Sequence, residues 1–174
     1  MFFLTLIVTI LVIFVLIQVV GRLLPASFRA QSSETIDASP GKLWTILVNH
    51  AQEKDWRSDL IAIDKVSGAG SQQVWREIRR GGLTLQLKTV ESDAPHRLVR
   101  EIVNSKELGG RITCEIEPVR EESSRLTVTE EIEVKKPWRR IKMQLLSSKS
   151  AHVEQFVHDV KQRAIHLKEL EEEE

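Results

Sequence analysis

Arg111-Ile-Thr-Cys-Glu-Ile-Glu117, followed after a short polar break by Leu126-Thr-Val-Thr-Glu-Glu-Ile-Glu-Val134, alternates apolar and polar side chains, and the alternation fails only at Glu130, where an apolar residue is due. In a strand successive side chains point to opposite faces, so Ile112, Cys114 and Ile116 share one face with Leu126, Val128 and Ile132, and Glu130 shares it with them. The pattern recurs upstream in Ile61 to Val66, Gln73 to Arg79, Leu83 to Val90 and Arg97 to Val103. The breaks fall at Gly68-Ala-Gly70, Gly81-Gly82, Asp93-Ala-Pro95, Gly109-Gly110 and Glu121 to Ser124, short connections suited to antiparallel hairpins. With Glu34 to Ala38 as a first strand, the sequence predicts a seven-stranded antiparallel sheet.

Helical spacing brackets these strands. Ser39 caps and Pro40 opens a first helix carrying Leu43, Trp44, Ile46 and Leu47, and a second short turn follows over Ala51 to Trp56. From Pro137 onward Trp138, Ile141, Leu145, Val153, Phe156, Val160, Ala164 and Leu167 recur at helical intervals, which predicts one long amphipathic helix. Ser147 to Ser150 is its weak point, and Glu171 to Glu174 should fray, because the helix dipole disfavours anions at that end.

At the other end, Phe2 to Val20 carries no charge. A helix of about 20 apolar residues spans the hydrocarbon core, so this segment predicts a membrane anchor. A cleaved signal peptide would have a shorter apolar run behind a basic start and ahead of a small-residue site, and Phe28 and Arg29 interrupt such a site here. Arg22 and Arg29 follow the span, so the charge bias predicts a single-pass protein with a cytoplasmic body. The expected organisation is an anchor over 1–22, a short linker over 23–32 and one domain over 33–174.

The chain has 25 basic and 25 acidic side chains, a balance unlike that of proteins that grip nucleic acid through a basic stripe. The cluster Lys135, Lys136, Arg139, Arg140 and Lys142 suits either anionic lipid headgroups or a solvated helix start. The single Cys114 agrees with a reducing compartment and with a secreted domain that needs no disulfide.

The order of strand, two short helices, six strands and long C-terminal helix resembles the helix-grip fold of the SRPBCC (START-like, polyketide-cyclase-like) superfamily, an α+β architecture. Glu34-Thr-Ile-Asp-Ala-Ser-Pro-Gly-Lys-Leu-Trp44 is similar to its opening strand, turn and first-helix tryptophan, and Asp55-Trp56 to the end of its second helix. Val74-Trp-Arg-Glu77, Pro95-His-Arg-Leu-Val99 and Thr127-Val-Thr-Glu-Glu131 resemble its third, fifth and last strands. The resemblance implies a curved sheet gripping the last helix, with a cavity between them for a lipid-like or other apolar small molecule. It does not imply one reaction.

Within that cavity, Ile112, Cys114, Ile116, Val128 and Phe156 are the expected lining, and Glu130, Arg100 and Arg76 the polar candidates. Arg100 shares parity with Leu98 and Ile102, and Arg76 with Val74 and Ile78. A buried carboxylate is costly alone, so Glu130 is either a polar anchor or general acid/base for a ligand, or one half of a buried ion pair, or turned outward by a bulge. His50, His96, His152, His158 and His166 lack metal-ligand spacing and are expected at the surface, and no phosphate loop or dinucleotide fingerprint is present, so neither metal nor cofactor is expected. Three functions fit. The chain is a membrane-tethered, non-enzymatic binding domain, or an accessory subunit of a membrane complex with an empty cavity, or a cyclase or hydrolase using Glu130 and Arg100.

Overall fold

The computed structural model describes residues 1–69, 72–146 and 150–173. Seven antiparallel strands form one curved sheet in the order β1-β7-β6-β5-β4-β3-β2. They are β1 Ser27–Ile36, β2 Leu60–Ser67, β3 Val74–Arg79, β4 Thr84–Asp93, β5 Arg97–Val103, β6 Leu108–Arg120 and β7 Ser123–Val134. Helix α1 Phe2–Leu23 precedes the sheet, and α2 Pro40–Val48, a 3₁₀ turn His50–Gln52 and α3 Glu53–Trp56 carry the chain from β1 to β2 at the opposite edge. The chain closes with α4 Pro137–Leu146 and α5 Ala151–Glu173. This is the seven-stranded sheet that the strand pattern predicts and the helix-grip architecture that the resemblance implies.

Two apolar clusters hold it together. On one, Val153, Val157, Val160 and Ala164 of α5 pack with Leu43 and Leu47 of α2 against Ile36, Leu98, Cys114, Ile116, Leu126 and Val128 of the sheet. Fully burying each such aliphatic side chain contributes about 1.5–3 kcal/mol before the entropy of ordering is counted. The second cluster lies at the other end of the sheet, where Phe28, Leu85, Leu87, Ile102, Leu108 and Val134 are joined by Leu83, Ile132 and by Met143 of α4. Helix α4 therefore covers an apolar region that α5 does not reach.

Three boundaries differ from the sequence reading. Strand β1 begins at Ser27, so residues 27–32 are sheet and not linker. They pair with β7 from Ser27 opposite Glu133 to Ile36 opposite Ser124, and the polar composition is that of an edge strand with one wet face. Strand β6 runs straight through Gly109-Gly110, where a turn was expected. Gly110 has φ +127° and lies so close to β7 that a Cβ would overlap the Glu131 carbonyl, so glycine serves the pairing there. The C-terminal segment forms two helices, α4 and α5, in place of one. Of its expected weak point only Ser150 is described, since Ser147 to Lys149 lie outside the described residues. Helix α5 continues to Glu173, past the point where fraying was expected, and Lys42 of α2 pairs with Glu171 at 2.7 Å.

The most apolar stretch of helix α1 has a mean hydropathy of 3.0 and is unburied, and the helix is long and apolar enough to cross a membrane. Its last turn packs on α4. Gly21 meets Pro137 so closely that any Cβ would overlap the proline carbonyl, and only three residues, Leu24 to Ala26, separate α1 from β1.

Candidate functional site

Between the sheet and the start of α5 the core is charged. Strand β3 turns Glu77 and Arg79 inward, β5 contributes Arg100, α3 and the residue that follows it supply Glu53 and Arg57, and the 3₁₀ turn adds His50; all six are buried, Glu77 completely. Asp59 before β2, Glu130 of β7 and His152 of α5 complete the group at its outer side.

The contacts interlock. Arg57 donates to Glu53 at 2.5 Å and to Asp59 at 2.8 Å and stands 3.2 Å from Glu77. Arg79 donates to Glu77 at 2.8 Å, and Arg100 bridges Glu53 at 3.2 Å and Glu77 at 3.0 Å. His50 lies 2.5 Å from Glu53 through Nδ1, and because a carboxylate only accepts, Nδ1 carries the proton. Burial and the Arg100 charge push the His50 imidazole below its ordinary pKa, so the ring is neutral at pH 7. Burial alone would raise the carboxyls of Glu53, Asp59, Glu77 and Glu130. In each case charged neighbours outweigh it: Arg100 for Glu53, His152 and Arg57 for Asp59, Arg79 and Arg100 for Glu77, His152 for Glu130. All four are held below their ordinary values.

His152 sits where the opposing charges meet. Its Nε2 lies 2.7 Å from Arg79 Nη1 and 3.1 Å from Asp59, and its Nδ1 lies 3.5 Å from Glu130. A neutral ring with a bare Nε2 accepts from Arg79, whereas a protonated ring donates to Asp59 and faces Glu130. Burial and Arg79 oppose protonation, but the two carboxylates prevail and raise the pKa. Four carboxylates, Glu53, Asp59, Glu77 and Glu130, stand against three guanidiniums, Arg57, Arg79 and Arg100, so a protonated His152 brings the cluster to neutrality.

Two spaces adjoin the cluster. A partly open cavity of about 30 Å³ is walled by Leu47, Trp56, Leu98, Ile112, Cys114, Val128, Val153 and Phe156, with Glu53, Arg57, Arg79, Arg100, Glu130 and His152 as its polar side. That volume holds a water or two. The Arg100 Nε, at this cavity, has no hydrogen-bond partner among the described residues. A larger groove of about 360 Å³ opens between α4, the Gly81-Gly82 turn and the second apolar cluster. Arg79, Glu130 and His152 line both spaces and form the partition between them.

Of the residues singled out from sequence, Glu130, Arg100, Ile112, Cys114, Val128 and Phe156 come together around the cavity. Ile116 is packed in the core beyond it. Arg76 is a correction: it lies on the outer face of β3, 47% exposed and paired with Asp64 at 2.9 Å, because this strand turns Glu77 and Arg79 inward in place of the even-numbered set. His50 and His152 are likewise built into the cluster, whereas His96, His158 and His166 are exposed as expected. Sequence reasoning missed Glu53, Arg57, Glu77, Arg79 and His152. In Arg76-Glu-Ile-Arg-Arg80 charges occupy both faces of the strand, so alternation carries no signal there. Burial pushes the Cys114 thiol up to about 12, which makes it a packing residue and not a nucleophile.

Comparison with known proteins agrees with this architecture. Comparison with curated protein sequences gives no match. Among solved structures, norcoclaurine synthase from Thalictrum flavum superposes with a TM-score of 0.66 at 12% identity over 82% of this chain and 96% of that one. The Zhui aromatase/cyclase from Streptomyces sp. R1128 gives 0.69 at 11% identity over 79% and 93%, and a START superfamily protein from Mycobacterium smegmatis gives 0.63 at 12% over 80% and 98%. At such identities the likeness is one of fold. The profile of the family described as "Polyketide cyclase / dehydrase and lipid transport" matches residues 27–164, from the first residue of β1 to the buried Ala164 of α5, and the chain belongs to that family.

Proposed function

We propose that the chain is a membrane-tethered binding domain for a lipid-like apolar ligand, held at the cytoplasmic face of a bilayer by α1, and that it is not a catalyst. The observation that carries this reading is the combination of apolar walls with a buried charged floor between the sheet and α5. Apolar walls with a few fixed polar groups are what a site needs to hold and orient an apolar molecule. The family's description, which includes lipid transport, supports it. The carboxylates favour binding over acid catalysis. A general acid needs a carboxyl whose pKa is raised, and here all four are held down by their cationic neighbours.

The cavity's size of about 30 Å³ favours a second reading, in which the domain is an assembly subunit of a membrane complex and binds no small molecule. Native mass spectrometry of residues 27–174 separates the two, since both apolar clusters lie within that segment. A defined extra mass that extracts into solvent is expected. A clean apo mass, with no saturable uptake of a fluorescent fatty acid, would overturn the binding reading, and co-purification of the full chain with partner proteins would then support the second.

A further inference from the structure

The groove beside α4 lies close to the end of the anchor. Pro137, the first residue of α4, touches Gly21 at the end of α1, and the next residue, Trp138, is already part of the groove's rim. With α1 in a bilayer, a reading on which this inference rests, Trp138 stands at the headgroup level, where amphipathic rings are favoured. It is 44% exposed, with the Arg139 guanidinium 5.3 Å from its ring centre.

The groove's floor and rim differ in chemistry. Leu83, Leu85, Leu108, Ile132 and Met143 line it with apolar surface. Around them stand Arg79, Arg139 and Lys142, against Glu130 as the only carboxylate among the described residues. Arg79 is neutralised by Glu77, and Arg139 pairs with Glu107, yet its Nε is buried without a hydrogen-bond acceptor among the described residues. Lys142 has no ion-pair partner among the described residues. An apolar slot whose rim carries an unpaired Lys142 beside an Arg139 with a free Nε, opening beside the end of a membrane helix, matches one occupant: an acyl chain joined to an anionic headgroup. A volume of about 360 Å³ lies at the small end of the usual range for ligand pockets, enough for part of one chain.

We infer that the α4 groove is a docking site for an anionic phospholipid drawn from the anchor's own bilayer, with an acyl chain over Leu83, Leu85, Leu108 and Met143 and the phosphate at Arg139 and Lys142. The lipid lies outside the smaller cavity, separated from it by Arg79, Glu130 and His152. Helix α4 serves as the side wall of the slot. Because α4 also carries the contact with α1, the slot is held against the membrane that supplies the lipid.

The test uses the full chain in vesicles of phosphatidylcholine, alone or with phosphatidylglycerol, either lipid bearing a photoreactive acyl chain, with adducts mapped by mass spectrometry. Adducts on the peptides carrying Leu83, Leu85, Leu108 or Met143 are expected, and several-fold more from phosphatidylglycerol. Lys142→Glu should cut the phosphatidylglycerol adducts roughly fivefold or more, as expected for losing one basic contact at an anionic surface, and Lys142→Arg should restore them. An exposed side chain without partners makes both variants safe for the fold, and an unchanged melting temperature verifies it. Equal labelling by the two lipids overturns the inference, as does labelling confined to α1. Labelling at the cavity residues Leu47, Val153 or Phe156 alone also overturns it while leaving the proposed binding function standing.

Discussion

Replacing Arg100 with methionine tests whether the buried cluster holds the sheet to α3. Arg100 is 6% exposed and bridges Glu53 and Glu77, both completely or almost completely buried. Removing one partner of a buried ion pair costs about 3–5 kcal/mol, because the charge left behind is neither paired nor hydrated. In a domain of this size each kcal/mol moves the melting temperature by about 2–4 °C, so Arg100→Met should lower it by roughly 6–20 °C near neutral pH. Tryptophan fluorescence is the suitable probe, since Trp44 and Trp56 pack against the main core and α1 carries no tryptophan.

A second signature separates electrostatics from simple loss of packing. Arg100 helps hold Glu53 and Glu77 below the ordinary carboxylate pKa. A carboxylate depressed in the folded state contributes stability above its unfolded value and loses it as the pH falls through the folded one. Without Arg100 these two carboxylates have less to lose, so the gap between variant and wild type should narrow as the pH falls below about 5. A fall of less than about 2 °C near neutral pH, or a gap that acid leaves unchanged, would refute the reasoning.

Other predictions follow from the same geometry. Asp59 and Glu130 raise the His152 pKa above 6.5, so its stabilisation is complete below that value and lost as the pH climbs through the folded one; in denaturant titrations from about pH 6 to about pH 9 the wild type should weaken more than His152→Ala. The Cys114 thiol, at about 12, should resist iodoacetamide in the native protein at mildly alkaline pH and react on unfolding, and rapid native labelling would mean that the cavity opens to water. Gly21→Val should push α1 from Pro137, raising hydrogen exchange in α4 several-fold while leaving the melting of the main core unchanged; equal exchange would show that the helices are not in contact.

Most of the fold was legible because alternation is a local signal. Strands β6 and β7 turn one apolar parity set inward, and the residue that broke their pattern, Glu130, marks the edge of the charged cluster, as Arg100 does among Leu98 and Ile102 of β5. The start of β1 was not legible, since Ser27 to Ser33 is polar on its free face and owes its structure to pairing with β7, nearly a hundred residues away. The cluster was legible only in part for a similar reason. A buried Glu77 is tolerable only with Arg57, Arg79 and Arg100 around it; Arg79 is two residues on in β3, but Arg57 and Arg100 come from a loop and another strand, and with charges on both sides of β3 the local sequence does not distinguish Glu77 from the exposed Arg76.

The short passage from α1 to β1 sets the working radius of the molecule. Leu24 to Ala26 reach at most about 10 Å, whereas a domain of this length has a radius of gyration of about 15 Å. If α1 is fixed in a bilayer, the body cannot swing to a facing membrane or carry a bound molecule away through the aqueous phase. Anything it holds must be collected from the leaflet beneath it and handed to a recipient that comes to that surface, so delivery would be limited by the recipient's arrival and not by the carrier's travel.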